Sequence, residues 1–318
     1  MTRLSAVAAL SPPGPEGWDF SDYPYGLEPL IMPDPKEELL DDERHPDTTR
    51  ACLLLLAQAE KGFGTTTPAV GREALEQLFW FRWMIGHHIS FVLWRLIADA
   101  LKRLPPDQGE GEADTEALIQ YVRAYSGMLL YTGSCTPAIY RAIIRPSMFR
   151  LHSTFSGTWA PDFPPVRSLF RGRRVPPVQP ARAPELVAQI ELCHRIHLGV
   201  ASKLVESGRS LLQQSVAEKA AQGHRMWEGI FDCYFLTQRA PVGADAVLAQ
   251  LLRRNKAVVI DLATNGLYPE PLPEEELPTE LRDADVLACE QDLAASLFRV
   301  SALAAGLAAD PAADQALA

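Results

Sequence analysis

The sequence predicts a nearly all-α protein built as a single large domain. Apolar residues recur at spacings of three and four through several long stretches, which is the period of amphipathic helices. Strand signals are scarce, and the best of them, Ala257–Leu262, is short and flanked by helical pattern. The 318 residues are 47% apolar and 22% charged, and no flexible linker divides them. A chain of this size can bury a large core.

Helix boundaries follow from capping residues and from glycine or proline stops. Asp47 can cap the first helix, and Pro184-Glu185 places a proline and an acidic residue at another helix start. The predicted helices are residues 47–61, 70–104, a third that opens at Asp114 or Thr115, 137–144, 184–212, 215–238, 243–263 and 284–307.

Proline-rich stretches lie outside these helices and define the domain organisation. Residues 1–46 are predicted to form an extended arm, residues 47–310 the helical domain, and residues 311–318 a tail. Within the domain, residues 146–184 form a long loop with seven prolines after Trp159. A loop of this length is either an active-site lid or a surface excursion.

Composition excludes several classes of function. A net charge of −10 repels nucleic acid, and no apolar run reaches the roughly 20 residues that cross a bilayer. The first ten residues lack the pattern of a signal peptide, so we expect a cytoplasmic protein. The five cysteines are far apart and odd in number, which predicts reduced thiols rather than a disulfide framework or a zinc site.

Two pairs of histidines, each inside a strongly apolar predicted helix, are the most informative feature. In the later pair, His197 shares a helix face with apolar residues, and His194 lies one turn before it. Two histidines that lie three residues apart on a helix can also bind one metal ion together. A nonheme metal site that uses both imidazoles is therefore an alternative. The apolar residues of this face are Leu186, Ile190, Cys193, Val200 and Leu204.

The earlier pair, His87 and His88, lies in a helix so apolar that we expect burial on most sides. Periodicity mildly favours His87 for the functional face, because it shares a stripe with Trp80, Met84, Phe91 and other large apolar residues. The alternative for each of the four histidines is a core residue bonded to a backbone carbonyl.

The segment from His88 to Arg95 resembles the tryptophan 2,3-dioxygenase segment H-Q-A-x-E-L-W-F-K, and Arg195–Val205 is similar to that family's axial-ligand helix. The resemblance implies a helical domain of that type enclosing a heme, with His88 as the distal catalytic residue and His197 as the iron ligand. It also implies that His194 and Trp94 contact the cofactor. The family's T-G-T-G-G-S stretch is absent here, which argues against tryptophan ring cleavage.

The segment Arg150–Asp162 is similar to a loop of the heme-dependent tyrosine hydroxylases, a nearer branch of the same superfamily. This resemblance implies ortho-hydroxylation of L-tyrosine to 3,4-dihydroxyphenylalanine with hydrogen peroxide, in secondary-metabolite biosynthesis. A related enzyme that acts on 3-methyltyrosine attaches its heme through a cysteine four residues after the axial histidine. Ala201 occupies that place here, so the implied cofactor is a noncovalent heme b.

An amino-acid substrate presents a carboxylate, for which an arginine fork is the best partner. Arg145 and Arg150 are the candidates for this contact, and Ser156 and Trp159 are candidates for the pocket wall. The arm of residues 1–46 makes a homodimer an expectation from the resemblance. Three other functions stay open: a tryptophan or indole dioxygenase, a noncatalytic heme-binding protein, and a helical scaffold with structural histidines.

Overall fold

The computed structural model describes residues 27–37, 39, 46–61, 71, 74–104, 112–171, 183–205 and 225–307. Over these residues the protein is mainly helical, with one two-stranded sheet, as the sequence predicts for the fold class. None of the described helices combines the length and the apolar character needed to cross a membrane. The predicted tail and most of the predicted arm lie outside the described residues.

The elements follow one another along the chain in a mostly helical order. They are β1 (Leu30–Met32), α1 (Pro46–Lys61), α2 (Leu75–Arg103), α3 (Glu112–Thr132), α4 (Pro137–Ile139), a π-helix (Tyr140–Ile144), α5 (Arg145–Leu151), a 3-10 turn (Gly157–Trp159), α6 (Arg167–Phe170), α7 (Pro184–Leu204), α8 (Arg225–Tyr234), β2 (Thr237–Arg239), α9 (Ala244–Asn265), 3-10 turns (Glu274–Glu276 and Thr279–Leu281), α10 (Ala284–Gln291) and α11 (Leu293–Ala304).

Helix α3 is the centre of the packing. It lies against α2 on one side and α7 on the other, and it also contacts α11. Helix α9 packs against α2 and α11 and contributes a long run of buried residues. A Cβ atom added at Gly86 would lie 2.2 Å from Thr132 Cγ2, so α2 and α3 approach closely because residue 86 has no side chain.

The segment after α3 differs from the prediction of a loop that begins at Pro146. Helical backbone continues from Pro137 through the π-helix to Leu151, and Pro146 lies in the first turn of α5. A proline is tolerated there because the wide π turn precedes it and the helix restarts. The loop therefore begins at His152, and its residues 172–182 are outside the described part of the chain.

The sequence does not predict the small sheet. Strands β1 and β2 pair in parallel, with Leu30 opposite Thr237 and Met32 opposite Arg239. Three-residue strands carry too little alternating pattern to be recognised, and β1 lies in a segment that the sequence presents as an arm. The segment with the best strand signal, Ala257–Leu262, lies within α9, in agreement with the helix predicted for residues 243–263.

The bounds of three further helices differ from the prediction. The predicted helix 284–307 is interrupted at Asp292 and forms α10 and α11. Helix α7 ends at Leu204, eight residues before the predicted end, and residues 206–212 lie outside the described residues. The predicted helix 215–238 is described only from Arg225, and it ends at Tyr234 before β2.

Candidate functional site

A cavity of about 710 Å³ lies between α2, α3 and α7. Its wall is mostly apolar and aromatic, and the segment that runs from α5 to α6 and the end of α8 complete it. Such a size and lining are typical of a site for a small molecule or a cofactor. The histidines and charged residues of the wall are His87, His194, His197, Arg171 and Glu191.

His87 is held in a defined orientation on the α2 side of the cavity. Its Nδ1 lies 2.6 Å from the Trp83 carbonyl oxygen, so Nδ1 carries the proton and donates it to that acceptor. The Phe235 ring stacks on the imidazole at 4.4 Å between centroids, and the Trp83 ring is 4.2 Å away. Burial lowers the pKa of His87 to about 4, against a partial offset from the Trp83 bond. His87 is therefore neutral near pH 7, with Nε2 unprotonated.

His197 and His194 lie on the α7 side of the same cavity. Among the described residues, neither ring nitrogen of His197 has a hydrogen-bond partner. Burial, followed by the neighbouring His194, lowers the pKa of His197. His197 is half-buried and His194 is exposed. A neutral imidazole that faces an apolar cavity and has no partner in the described part of the chain is available as a metal ligand.

The structure does not bring His88 to the cavity. Its side chain is fully buried on the side of α2 that faces α9, where Nε2 donates to the Phe235 carbonyl and Nδ1 accepts from Arg254 Nε at 3.2 Å. Neighbouring residues of a helix point about 100° apart, so only one of the two histidines can face the cavity. The helical stripe in the sequence favours His87, whereas the motif resemblance favours His88. The geometry agrees with the stripe.

The four predicted substrate residues also lie off the cavity wall. Arg150 is exposed and lines a separate shallow groove beside Trp80 and Pro146, and Arg145 lines neither. Both arginines belong to α5, whose unpredicted helical turn directs them away from the cavity. The prediction of these two arginines as cavity residues is therefore not supported by the geometry.

Ser156 and Trp159 have structural positions in the loop that follows α5. The Ser156 hydroxyl accepts from Thr158 N at 3.3 Å and caps the 3-10 turn. The Trp159 ring packs on Trp227 of α8 at 4.6 Å. Their neighbours Gly157 and Thr158 line the cavity instead. The predicted segment thus reaches the cavity wall through Gly157 and Thr158 and not through Ser156 and Trp159.

Trp94, the residue expected to contact the cofactor, lines the cavity and belongs to an aromatic cluster at one end of it. Its ring lies 5.6 Å from the ring of Tyr125 and 5.1 Å from that of Phe163. In the described part of the protein the buried Trp94 Nε1 has no acceptor at hydrogen-bond distance. Burial raises the pKa of Tyr125, which stays a neutral phenol. Trp94 and Tyr125 therefore bring no charge to the cavity.

Two charged residues of the wall are absent from the sequence-based prediction. Arg171 follows α6 directly, and Glu191 lies on α7 one turn before His194; both are exposed. The α7 stripe could have revealed Glu191, because residues 191, 194, 198, 201 and 205 recur at spacings of three and four and all line the cavity. Nothing local marks Arg171, since its place depends on the folding of the preceding loop.

The described residues contain no group of three or more histidine, cysteine, aspartate or glutamate side chains placed to hold a metal ion. The two histidines of α7 thus lack a third protein ligand of the kind that a nonheme site uses. Fold and site together define a helical protein with an apolar cavity and imidazoles on two of its helices.

Residues 40–189 match the family model described as SfmD 3-methyl-L-tyrosine peroxygenase. This stretch is somewhat less than half of the chain, and it contains His87 and the loop after α5 but stops before His194. No protein of curated function matches the chain. This match supports the resemblance to heme-dependent aromatic oxygenases as far as a similarity to a family of peroxygenases that act on tyrosine derivatives.

Proposed function

We propose that this protein is a heme-dependent peroxygenase that hydroxylates L-tyrosine ortho to its phenol, giving 3,4-dihydroxyphenylalanine for secondary-metabolite biosynthesis. The observation that carries the proposal is that His87 and His197, on two different helices, line one apolar cavity. Both imidazoles are neutral near pH 7 because burial lowers their pKa values. The match of residues 40–189 to the peroxygenase family supports the same reaction class.

The residues of the cavity fit a heme b. His197 would hold the heme iron in this proposal, since its imidazole is neutral and has no hydrogen-bond partner among the described residues. His194 of α7 and Trp94 of α2 would contact the porphyrin from two sides of the cavity, and Ala201 stands in place of the cysteine that would attach it covalently. Bound heme would activate hydrogen peroxide, which is the two-electron oxidant: an aromatic C–H and hydrogen peroxide give a phenol C–OH and water.

His87 is the proton acceptor in this proposal, in place of His88. Because Nδ1 donates to the Trp83 carbonyl, the lone pair is on Nε2, and the ring cannot rotate without losing that bond. Nε2 can accept a proton from the substrate phenol or from peroxide and return it to the departing water. The stacked Phe235 and the Trp83 ring keep the imidazole in place during the transfer.

The rim of the cavity suits the two charges of an amino acid. Arg171 can pair with the substrate carboxylate, and Glu191 can pair with its ammonium group, while the aromatic interior takes the ring. Arg171 thus replaces Arg145 and Arg150 as the proposed carboxylate partner.

The absorption spectrum of protein expressed with added heme precursor tests the cofactor assignment. We expect a sharp Soret band in the wild type and in His152→Ala, a histidine that does not line the cavity, and its loss in His197→Ala. A band of unchanged strength in His197→Ala would contradict the ligand assignment. Colourless wild type would contradict the heme proposal and favour a scaffold with structural histidines.

Product analysis tests the reaction. With hydrogen peroxide, we expect the heme-loaded protein to convert L-tyrosine to 3,4-dihydroxyphenylalanine, and 3-methyl-L-tyrosine is the parallel substrate because of the family match. Faster turnover of the methylated substrate would reassign the substrate within the same reaction. Heme binding without turnover of either substrate would identify a noncatalytic heme protein, and turnover of L-tryptophan alone would identify an indole oxygenase.

Substrate analogues test the rim. Tyramine lacks the carboxylate and 3-(4-hydroxyphenyl)propionate lacks the ammonium group. We expect Arg171→Gln to raise the KM for L-tyrosine by about tenfold or more and to leave that for tyramine unchanged, because one charge-assisted bond is worth about 1.5–3 kcal/mol. Arg145→Gln is the matched control, since Arg145 does not line the cavity. Equal effects of the two variants on KM would contradict the proposal.

A further inference from the structure

We infer that His88 is a positioning residue, which holds the Phe235 ring against His87 through a buried polar cluster formed by His88, Arg254 and Glu28. This inference rests on the proposed role of His87 and assigns a function to the histidine that the motif resemblance marked as catalytic. Its basis is a continuous set of contacts from the N-terminal strand to the cavity.

The protonation state of His88 is determined by its neighbours. Arginine has donors only, so the Arg254 Nε that lies 3.2 Å from His88 Nδ1 requires Nδ1 to be the acceptor. Nε2 then carries the proton and donates it to the Phe235 carbonyl. Burial and the Arg254 charge both lower the pKa of His88. This imidazole is therefore neutral and fully bonded, with no lone pair or proton left for a substrate.

Arg254 is itself held by the residues that precede β1. Its Nη1 donates to Glu28 Oε1 at 2.8 Å, and its Nη2 donates to the Glu28 and Pro29 carbonyls at 3.2 Å each. Arg253 adds a second guanidinium on the same Glu28 oxygen at 2.8 Å. Because Arg254 is fully buried, the removal of Glu28 would leave its charge without a counter-ion. The cluster thus fixes His88 from the side remote from the cavity.

The carbonyl that His88 holds belongs to a turn that needs support. Leu236 has φ of 51°, in the left-handed region, where a residue with a side chain costs of the order of 1–3 kcal/mol. His88 bonds the carbonyl on one side of this residue, and Leu30 N bonds the Leu236 carbonyl at 3.0 Å on the other. The two bonds keep the turn, and therefore Phe235, in its observed position.

The Phe235 ring connects the turn to the cavity. It lies nearly parallel to the His87 imidazole, at 22° and 4.4 Å, and its other contacts include the rings of Phe91 and Phe231. If the turn moved, His87 would lose one of the two rings that hold it and Nε2 would lose its fixed direction. His88 therefore acts on the site through Phe235, without reaching the cavity itself.

Two substitutions separate positioning from acid–base catalysis. The amide of His88→Gln can donate to the Phe235 carbonyl and accept from Arg254 but cannot transfer protons near pH 7, whereas His88→Leu fills similar space without either bond. We expect kcat of the heme-loaded protein to fall about 10²-fold in His88→Leu, the size of effect that a misplaced catalytic group produces, and severalfold at most in His88→Gln. An equal loss of kcat in both variants would overturn the inference.

A second measurement needs neither heme nor turnover. In the heme-free full-length chain labelled with ¹⁵N-histidine, we expect His87 to show the single Nδ1–H tautomer in the wild type and in His88→Gln. We expect His88→Leu and Phe235→Leu to give averaged ring nitrogen shifts, because both release the imidazole. An unchanged His87 spectrum in His88→Leu would overturn the inference even if heme binding and hydroxylation also failed, so the two proposals are tested separately.

Discussion

The two long faces of α2 use buried polar residues in opposite ways. On the face towards α9, Arg82 and His88 bond to other residues of the protein: Arg82 pairs with Asp261 through two bonds of 2.8 and 3.1 Å, and His88 bonds Arg254. On the cavity face, His87 and Trp94 each have a ring nitrogen that makes no hydrogen bond to a described residue. Satisfied groups stabilise a fold, whereas unsatisfied ones are available to a ligand.

The largest effect should come from the α9 face. Arg82 also donates to the Gly266 and Leu267 carbonyls, at 2.7 and 2.6 Å, and so holds the end of α9. We expect Arg82→Gln to lower the free energy of unfolding by about 3–5 kcal/mol, because Asp261 would remain as a buried carboxylate without its cation. Urea unfolding followed by circular dichroism measures this change.

Arg195→Gln is the control for that measurement. Its pair with Asp283 has a similar distance of 2.7 Å, but both side chains are about one-third exposed. Surface pairs contribute about 0–1 kcal/mol, so we expect little change in stability. If both variants lost a similar free energy of unfolding, burial would not explain how much each ion pair contributes to stability.

The cavity face should show the reverse pattern, with a large loss of activity and a small loss of stability. We expect His87→Phe to lower kcat by a factor of about 10²–10⁴, the usual contribution of a positioned proton acceptor, while the free energy of unfolding changes by less than about 1 kcal/mol. Peroxide-dependent hydroxylation and urea unfolding of the same samples test both parts. Full activity in His87→Phe would remove His87 from the proposed reaction.

Helix α2 shows how far the sequence predicts which residues belong to its cavity face and which to its α9 face. The period of its apolar residues correctly predicts the helix and favours His87 for the functional face. The sequence cannot predict that Arg254, 166 residues after His88, becomes its partner, because that contact depends on how α9 packs. For the same reason the sequence favours the arginines next to the loop over Arg171, whose place at the cavity depends on how the loop between α5 and α6 folds.

Acid should weaken the protein partly through His87. Its pKa is about 4 in the folded state and 6.5 when exposed, so between these values the unfolded chain binds the additional proton. Stability should therefore fall as the pH falls from 6.5 towards 4, by up to about 1.4 kcal/mol per pH unit from this residue. We expect His87→Phe to lose less stability than the wild type over this range. A constant difference between the two proteins from pH 7.5 to 4 would contradict the lowered pKa.

The smallest predicted effect concerns the glycine that precedes His87. In Gly86→Ala the new Cβ would lie 2.2 Å from Thr132 Cγ2, and the Thr132 hydroxyl is bonded to the Met128 carbonyl at 2.8 Å, which limits how far the methyl group can move. We expect a loss of about 1–3 kcal/mol in the free energy of unfolding. Gly229→Ala in α8 is the matched control, since nothing lies within 4 Å of its Cβ position and alanine favours a helix.

A double-mutant cycle with Thr132→Ser locates the cause of that loss. Serine keeps the hydroxyl and removes Cγ2, so we expect Thr132→Ser to recover most of the stability lost in Gly86→Ala. If the combined variant also recovers hydroxylation, the separation of α2 and α3 is what places His87 at the cavity. Stability recovered without activity would show instead that His87 depends on the local backbone of α2 rather than on its packing against α3.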